Sequence, residues 1–221
     1  MDKLTVFNRA LGFLNERVIT NPDAPETPAG KHIAGIFDQG VKEVLRIFPW
    51  NFAEVWATAP KTTAPSFGYS DAYSLPTDFI RLLIVGYSRP VSPGSAPMVS
   101  RRDFRMLNQG APDYRRVIAI DNSGAETLQI AYTAYISQLH IWDPLAIKVL
   151  ARWLALDAAK AVTGQDDLVK QLNDLLKEDL RDAAGVDGGE QAIQLHEESY
   201  VQNARDMAQY GDMLFTPVQY P

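Results

Sequence analysis

Val117-Ile118-Ala119-Ile120-Asp121-Asn122-Ser123-Gly124-Ala125-Glu126-Thr127-Leu128-Gln129-Ile130-Ala131-Tyr132-Thr133-Ala134-Tyr135-Ile136 is the stretch whose reading decides the fold class. Two runs that favour extended backbone flank an Asp-Asn-Ser-Gly turn. In the second run Leu128, Ile130, Tyr132 and Ala134 alternate with Gln129, Ala131 and Thr133, the period of a half-buried strand. The stretch reads as a hairpin of strand, tight turn and strand. Helical periodicity lies on both sides of it, so the sheet is an insertion in a helical chain.

Upstream, Phe52 to Ala59 and Phe79 to Tyr87 also read as strands, and Arg101 to Asn108 reads as a short helix capped by Ser100. These segments make a small antiparallel meander. Earlier still, Leu4, Phe7, Leu11, Leu14 and Val18 share one face of a first helix ending near Thr20. A Pro-rich loop covers 21–30. A second helix starts near Lys31, carries Ile33, Ile36, Phe37, Val41, Val44, Leu45 and Phe48 as its stripe, and stops at Pro49. Downstream, Asp143 caps a third helix with Pro144 in its first turn, and Gly164 ends it. A fourth begins at Asp166 or Asp167 with Leu168, Leu172, Leu175, Leu176 and Leu180 inward, and Gly185 to Gly189 ends it. A weaker helical pattern runs from Glu190 to about Met207, and an uncharged aromatic stretch closes the sequence. That last stretch reads either as a docking strand or as a tail folded back on its own domain.

Composition narrows the function. The chain has 221 residues, is 46% hydrophobic, has no cysteine and carries a net charge of -6. Thiol chemistry, disulfide scaffolds and Cys-type zinc sites are excluded. The longest apolar run, Leu145 to Val162, contains Lys148, Arg152, Asp157 and Lys160, which argues against a membrane span. Nothing at the N-terminus resembles a secretory leader, which predicts synthesis in the cytoplasm. The acid is uneven: residues 1–110 hold twelve basic and ten acidic groups, residues 111–221 nine and seventeen. Such a surface repels phosphate, so tight nucleic-acid binding is not expected. The acids belong either to solvated helix faces or to a charged contact or channel wall.

Catalytic patterns are lacking. His32, His140 and His196 fall in separate segments without zinc spacing, and Asp166-Asp167 and Glu197-Glu198 are neighbours that point apart on a helix. Ser123 has no nucleophile elbow, and Gly185-Val186-Asp187-Gly188-Gly189 lacks the lysine of a phosphate loop. No cofactor, metal site or catalytic residue is expected. The one basic cluster, Arg101, Arg102, Arg105, Arg115 and Arg116, suits phosphate or an acidic face of a neighbouring subunit.

One ordered combination stands out. The helix pair ends in Phe48-Pro49-Trp50-Asn51-Phe52, a strand follows, and then comes Tyr73-Ser74-Leu75-Pro76-Thr77-Asp78-Phe79-Ile80-Arg81. This resembles the tail tubular protein A family, the head-to-tail adaptors of short-tailed bacteriophages, in which a helix pair ends at a tryptophan and a Tyr-x-Leu-Pro-x-Asp-x-x-Arg segment leads into a strand. Trp50, Tyr73, Leu75, Pro76, Asp78 and Arg81 occupy those positions. On physical grounds Pro76 sets a turn, Asp78 can cap it and Arg81 can pair with a carboxylate.

The resemblance implies a non-enzymatic ring protein of the virion neck, dodecameric, seated under the portal protein, carrying the tail nozzle protein and letting DNA pass without sequence-specific binding. Tyr200, Tyr210, Met213, Leu214, Phe215, Val218 and Tyr220 are then the expected portal contacts. The alternatives are another phage neck or tail completion protein, or a tail-associated cell-wall hydrolase. The expected architecture is α+β: a helical bundle from 1–51 and 143–207, a small antiparallel β-region with a short helix from 52–142, and an extended tail from 208–221.

Overall fold

The computed structural model describes residues 1–63, 68–87, 104–109, 115–121 and 125–191. By its internal contacts the chain divides into two units, Met1–Ala184 and Gly185–Pro221. Of the second, only the last turns of one helix are described.

Helix α1 spans Lys3–Phe13, where Asp2 caps it by accepting from the Thr5 amide at 2.8 Å. It ends well before Thr20 because Asn15 adopts φ 54°, a left-handed conformation that asparagine tolerates and that breaks the helical ladder. The Asn8 side chain then clamps the returning loop, donating to the Ile19 carbonyl at 3.0 Å and accepting from its amide at 2.8 Å. Ile19 is thereby buried, and Val18, expected on the helix stripe, is 63% exposed. Helix α2, Pro28–Ile47, starts three residues before the expected Lys31, because Thr27 caps the Gly30 amide at 3.0 Å and Pro28 needs no donor at that position.

Helix α3, Pro144–Ala158, is capped by Asp143 as its sequence predicts and continues into a π-helical turn at Ala159–Thr163, closed by Gly164 at φ 61°. It packs on both α1 and α2, which is why nearly its whole circumference is buried. Its tightest approach is at Gly40 of α2, where an added Cβ would lie 2.8 Å from the Trp153 ring. Gly40→Ala is therefore expected to lower stability by about 1–3 kcal/mol, because overpacking outweighs the ~1 kcal/mol gain in helix propensity. A urea midpoint equal to or above wild type would refute this.

Helix α4 runs Asp166–Gln191 and passes straight through the glycines expected to stop it. Glycine weakens a helix interior without terminating it unless the backbone turns left-handed, and Gly185, Gly188 and Gly189 keep negative φ.

Among the described residues six strands follow in order as β1 (Glu54–Thr62), β2 (Asp71–Ser74), β3 (Phe79–Tyr87), β4 (Phe104–Asn108), β5 (Arg116–Ile120) and β6 (Thr127–Ala134). All pairings are antiparallel, in the order β3-β6-β1-β2-β5-β4. This corrects three expectations. The α+β class holds, but helices and sheet are mixed in comparable measure: the expected small β-region beside a mainly helical bundle is a six-stranded sheet with its own core. Residues 104–108 form a strand, not a helix, because Phe104 to Asn108 pair in register with Ile120 to Arg116. The strands of the opening stretch are not hairpin partners: β1 and β2 lie between β5 and β6, so the sheet is no meander. β5, fully buried from Val117 to Ile120, bonds β2 on one side and β4 on the other, leaving no edge for β6.

Two cores result. Phe7, Leu11, Ile33, Leu45, Trp50, Ile147 and Leu150 centre the helical one, while Tyr73, Ile118, Ile120, Leu128, Ile130 and Tyr132 centre the sheet's. Ile136 packs against both.

Candidate functional site

The residues of the Trp…Tyr-x-Leu-Pro-x-Asp-x-x-Arg pattern divide between the two cores: Trp50 lies in the helical one, Tyr73 and Leu75 in or against the sheet's, and Arg81 reaches the end of α2. After α2 ends, Pro49 prevents continuation and the chain folds Trp50 completely inward, with its indole N–H donating to the Val44 carbonyl at 2.8 Å. That carbonyl belongs to the last turn of α2, where helical acceptors lack partners. Phe48 meets the Trp50 ring edge-on at 5.0 Å, Phe52 stacks on it at 5.9 Å, and Trp142 continues the series at 5.1 Å from Phe52. Trp142 in turn donates to the Ile136 carbonyl at 3.1 Å. The aromatic ladder thus joins α2, the start of β1 and the entry to α3.

Tyr73, fully buried in β2, donates its hydroxyl to the Ala125 carbonyl at 2.6 Å, tying down the start of the chain's return into β6. Leu75 packs against the sheet core, and the Pro76 carbonyl accepts from the Phe79 amide at 3.3 Å, closing the expected turn. Asp78 does more than decorate that turn. Its carboxylate accepts from the Tyr132 hydroxyl at 3.0 Å, and its carbonyl accepts from the Tyr135 amide at 2.6 Å. Arg81 donates to the Arg46 carbonyl at 3.4 Å, and Arg46 donates to the Ile80 carbonyl at 3.0 Å. A cation at a helix C-terminus also suits the helix dipole.

Burial, followed by the hydrogen bond and charge of Asp78, pushes the Tyr132 phenol up from 10.0 to about 12. Tyr135, which donates to Asp38 at 2.9 Å, is raised for the same kinds of reason. A raised folded-state value means that Tyr132 contributes stability fully below pH 10 and loses it as pH climbs towards about 12. Alkaline absorbance titration should show tyrosines ionising late, with Tyr132→Phe removing one of them and flattening the fall of stability in that window. Indistinguishable titrations of wild type and variant would contradict the assignment.

The basic cluster is only partly assembled. Arg101 and Arg102 lie outside the described residues, as do Tyr200, Tyr210, Met213, Leu214, Phe215, Val218 and Tyr220. Arg105 is exposed on β4 and Arg115 exposed before β5, not on a helix. Arg116 at the start of β5 instead faces a concavity of about 450 Å³ lined by Gln39, Lys42, Glu43, Arg46, Phe79, Ile80 and Arg116. Lys42 and Arg46, which make this surface basic, sit four residues apart on α2, a spacing visible in the sequence once the helix is granted.

A second cluster escaped the sequence reading. Asp179 of α4 is 5% exposed and accepts from Arg152 Nε at 2.8 Å and Lys148 Nζ at 2.6 Å. The Arg152 guanidinium also lies 3.9 Å from the centre of the Phe13 ring. The signal was a charge at 152 inside an apolar helix.

His32 pairs with Asp157 at 2.8 Å and His140 is exposed; His196 lies outside the described residues. Among the described residues no group of three or more His, Asp or Glu side chains is placed to hold a metal ion. No described helix is long and apolar enough to cross a membrane.

No protein-family model and no curated protein matches the chain. A chain of the solved structure "Neck of empty GTA particle computed with C6 symmetry" is similar to 70% of this chain over 76% of its own length, at 14% identity and a TM-score of 0.25. A likeness of that size falls below a shared fold and assigns no function.

Proposed function

We propose that the protein is a structural subunit of a phage head-to-tail junction, assembling as a ring under the portal, mounting the tail nozzle and letting DNA pass, and that it acts by contact rather than chemistry. The observation that carries this reading is the role of the six pattern residues. Trp50 and Arg81 bond carbonyls in the last turn of α2, Asp78 takes the Tyr132 phenol and the Tyr135 amide beside it, Pro76 closes the turn between β2 and β3, and Tyr73 and Leu75 hold the sheet core. A pattern of that kind supports a module whose helical and sheet layers must hold a fixed relation, as a ring member under the strain of DNA passage requires.

Ring assembly makes weak contacts strong, since each seated copy raises the effective concentration of the next. The defining experiment is particle mass in solution, for the protein alone and with its cognate portal. A defined multiple formed on the portal is expected; an unchanged mass with no complex would remove the adaptor reading. The aromatic tail gives a sharper form. Deleting residues 210–221 should leave unfolding unchanged and abolish portal attachment, whereas a truncated chain that still joins the portal would remove the docking role of the tail.

A further inference from the structure

The concavity between α2 and the sheet carries three cations, Lys42, Arg46 and Arg116, around an apolar floor of Phe79 and Ile80. Among the described residues that line it Glu43 is the one acid, and it already accepts from Gln39 at 2.8 Å. Lys42 lies over the Tyr135 ring at 5.5 Å, and Arg46 is held at the rim by its bond to the Ile80 carbonyl, so both cations are presented by fixed surroundings. The same chain offers a matching surface. On α4, Asp167, Gln171, Asp174, Glu178 and Asp182 recur at three- and four-residue intervals and are all exposed, which makes one acidic stripe. Lys170 and Arg181 flank only one side of it, and Lys177 approaches Asp174 no closer than 3.9 Å.

We infer that this basic concavity receives the acidic stripe of α4 from a second copy of the chain, with Asp174 and Glu178 opposite Lys42 and Arg46. The spacing supports it: both pairs are one helical turn apart, about 6 Å, so two helices laid side by side bring two carboxylates to two cations in register. Arg116 is then available to a third acid, Asp167 or Asp182 according to the direction in which the helices run. Both surfaces are exposed on the same molecule, so the contact is head to tail and each copy keeps one surface free for the next. Bulk phosphate or DNA meets a weaker case here, because Glu43 sits among the cations and the chain as a whole is acidic. The inference rests on the ring reading only in requiring that copies associate, and it needs no portal.

The test uses two full-length variants: Lys42→Glu with Arg116→Glu on the basic side, and Asp174→Lys with Glu178→Lys on the acidic side. All these residues are exposed or half-exposed at the surface, apart from the core contacts, so folding is checked by circular dichroism and is expected to be unchanged. Wild type should self-associate in sedimentation at low ionic strength, and progressively less as the Debye length shrinks from about 10 Å at 0.1 M towards about 3 Å at 1 M salt. Each variant alone should associate about tenfold or more weakly. Mixed together, they offer one native and one reversed complementary pair of surfaces, so the mixture should recover association by alternation of the two variants. Combining all four reversals in one chain should restore association. A wild type that stays monomeric at low salt, or variants that associate like wild type, or a fourfold reversal that fails to recover, overturns the inference. Loss of portal attachment with this pattern intact would overturn the adaptor reading alone.

Discussion

Asp179→Ala should lower the unfolding free energy by about 3–5 kcal/mol, because it strands buried positive charge. Asp179 is the common acceptor of Arg152 and Lys148, at 2.8 and 2.6 Å. The two cations differ in their means of escape. The Lys148 side chain is 34% exposed and can swing its ammonium into water, whereas that of Arg152 is 9% exposed and pinned over Phe13. The penalty therefore comes mainly from Arg152, whose guanidinium cannot lose its proton. Asp179→Asn should cost less, since the amide oxygen still accepts while the countercharge is gone. Replacing the pair together, as Arg152→Met with Asp179→Leu, should recover most of the loss, because a well-packed apolar pair avoids the desolvation that the ions must offset. Urea unfolding of the four proteins reads this directly. A loss below about 1 kcal/mol for Asp179→Ala would mean that water reaches the cluster and that it behaves as a surface pair.

Arg152 also shows what a linear reading can miss. A basic residue in the apolar run from 145 to 162 is evidence against a membrane span, and the same residue is the anchor of the ion cluster between α3 and α4. Its partner is 27 positions away on another helix, and nothing local to either residue announces it. What was legible in the sequence follows the same divide between local and distant causes. Asp143-Pro144 fixed the start of α3 because capping and the missing proline donor act within one turn. The extended character of 117–120 and 127–134 was legible because strand periodicity is local, but their partners were not. A strand presents two edges, and whether β6 pairs with β5 or with β1 and β3 depends on segments far upstream in the chain. Phe104 to Asn108 fell to the same cause: its short pattern fits either state, and pairing with β5 decides it.

The candidate site was legible as a pattern and illegible as a mechanism. Asp78 and Arg81 were expected to serve their own turn and a carboxylate. Asp78 instead takes the phenol of Tyr132, 54 positions along the chain, and Arg81 reaches the carbonyl of Arg46 at the end of α2. Both are tertiary contacts whose partners carry no signal of their own. Lys42 and Arg46 were passed over because they sit on the polar side of a helix, where charge is ordinary; only the placement of Arg116 beside them makes a basic surface.

Trp50→Ala is the complementary test of the joint, and its expected loss is about 3–5 kcal/mol. Three contributions combine at this residue. The indole is fully buried, so truncation opens a cavity in the helical core. Its N–H satisfies the Val44 carbonyl, which would be left buried without that donor, a further penalty on the order of 1 kcal/mol within the total. Its ring also links Phe48 to Phe52, and through Phe52 to Trp142, so removal loosens the contact of α2 with the entry to α3. Trp50→Phe separates these effects: it keeps most of the ring packing and removes the donor, and should cost about 1–2 kcal/mol. A double variant with Trp142→Phe should be less destabilised than the sum of its singles if the ladder acts as one unit, because residues sharing a partner couple. Additive losses would show that the two tryptophans stabilise separate regions, and the joint would then be a meeting of two independent cores rather than a single rigid coupling of helices to sheet.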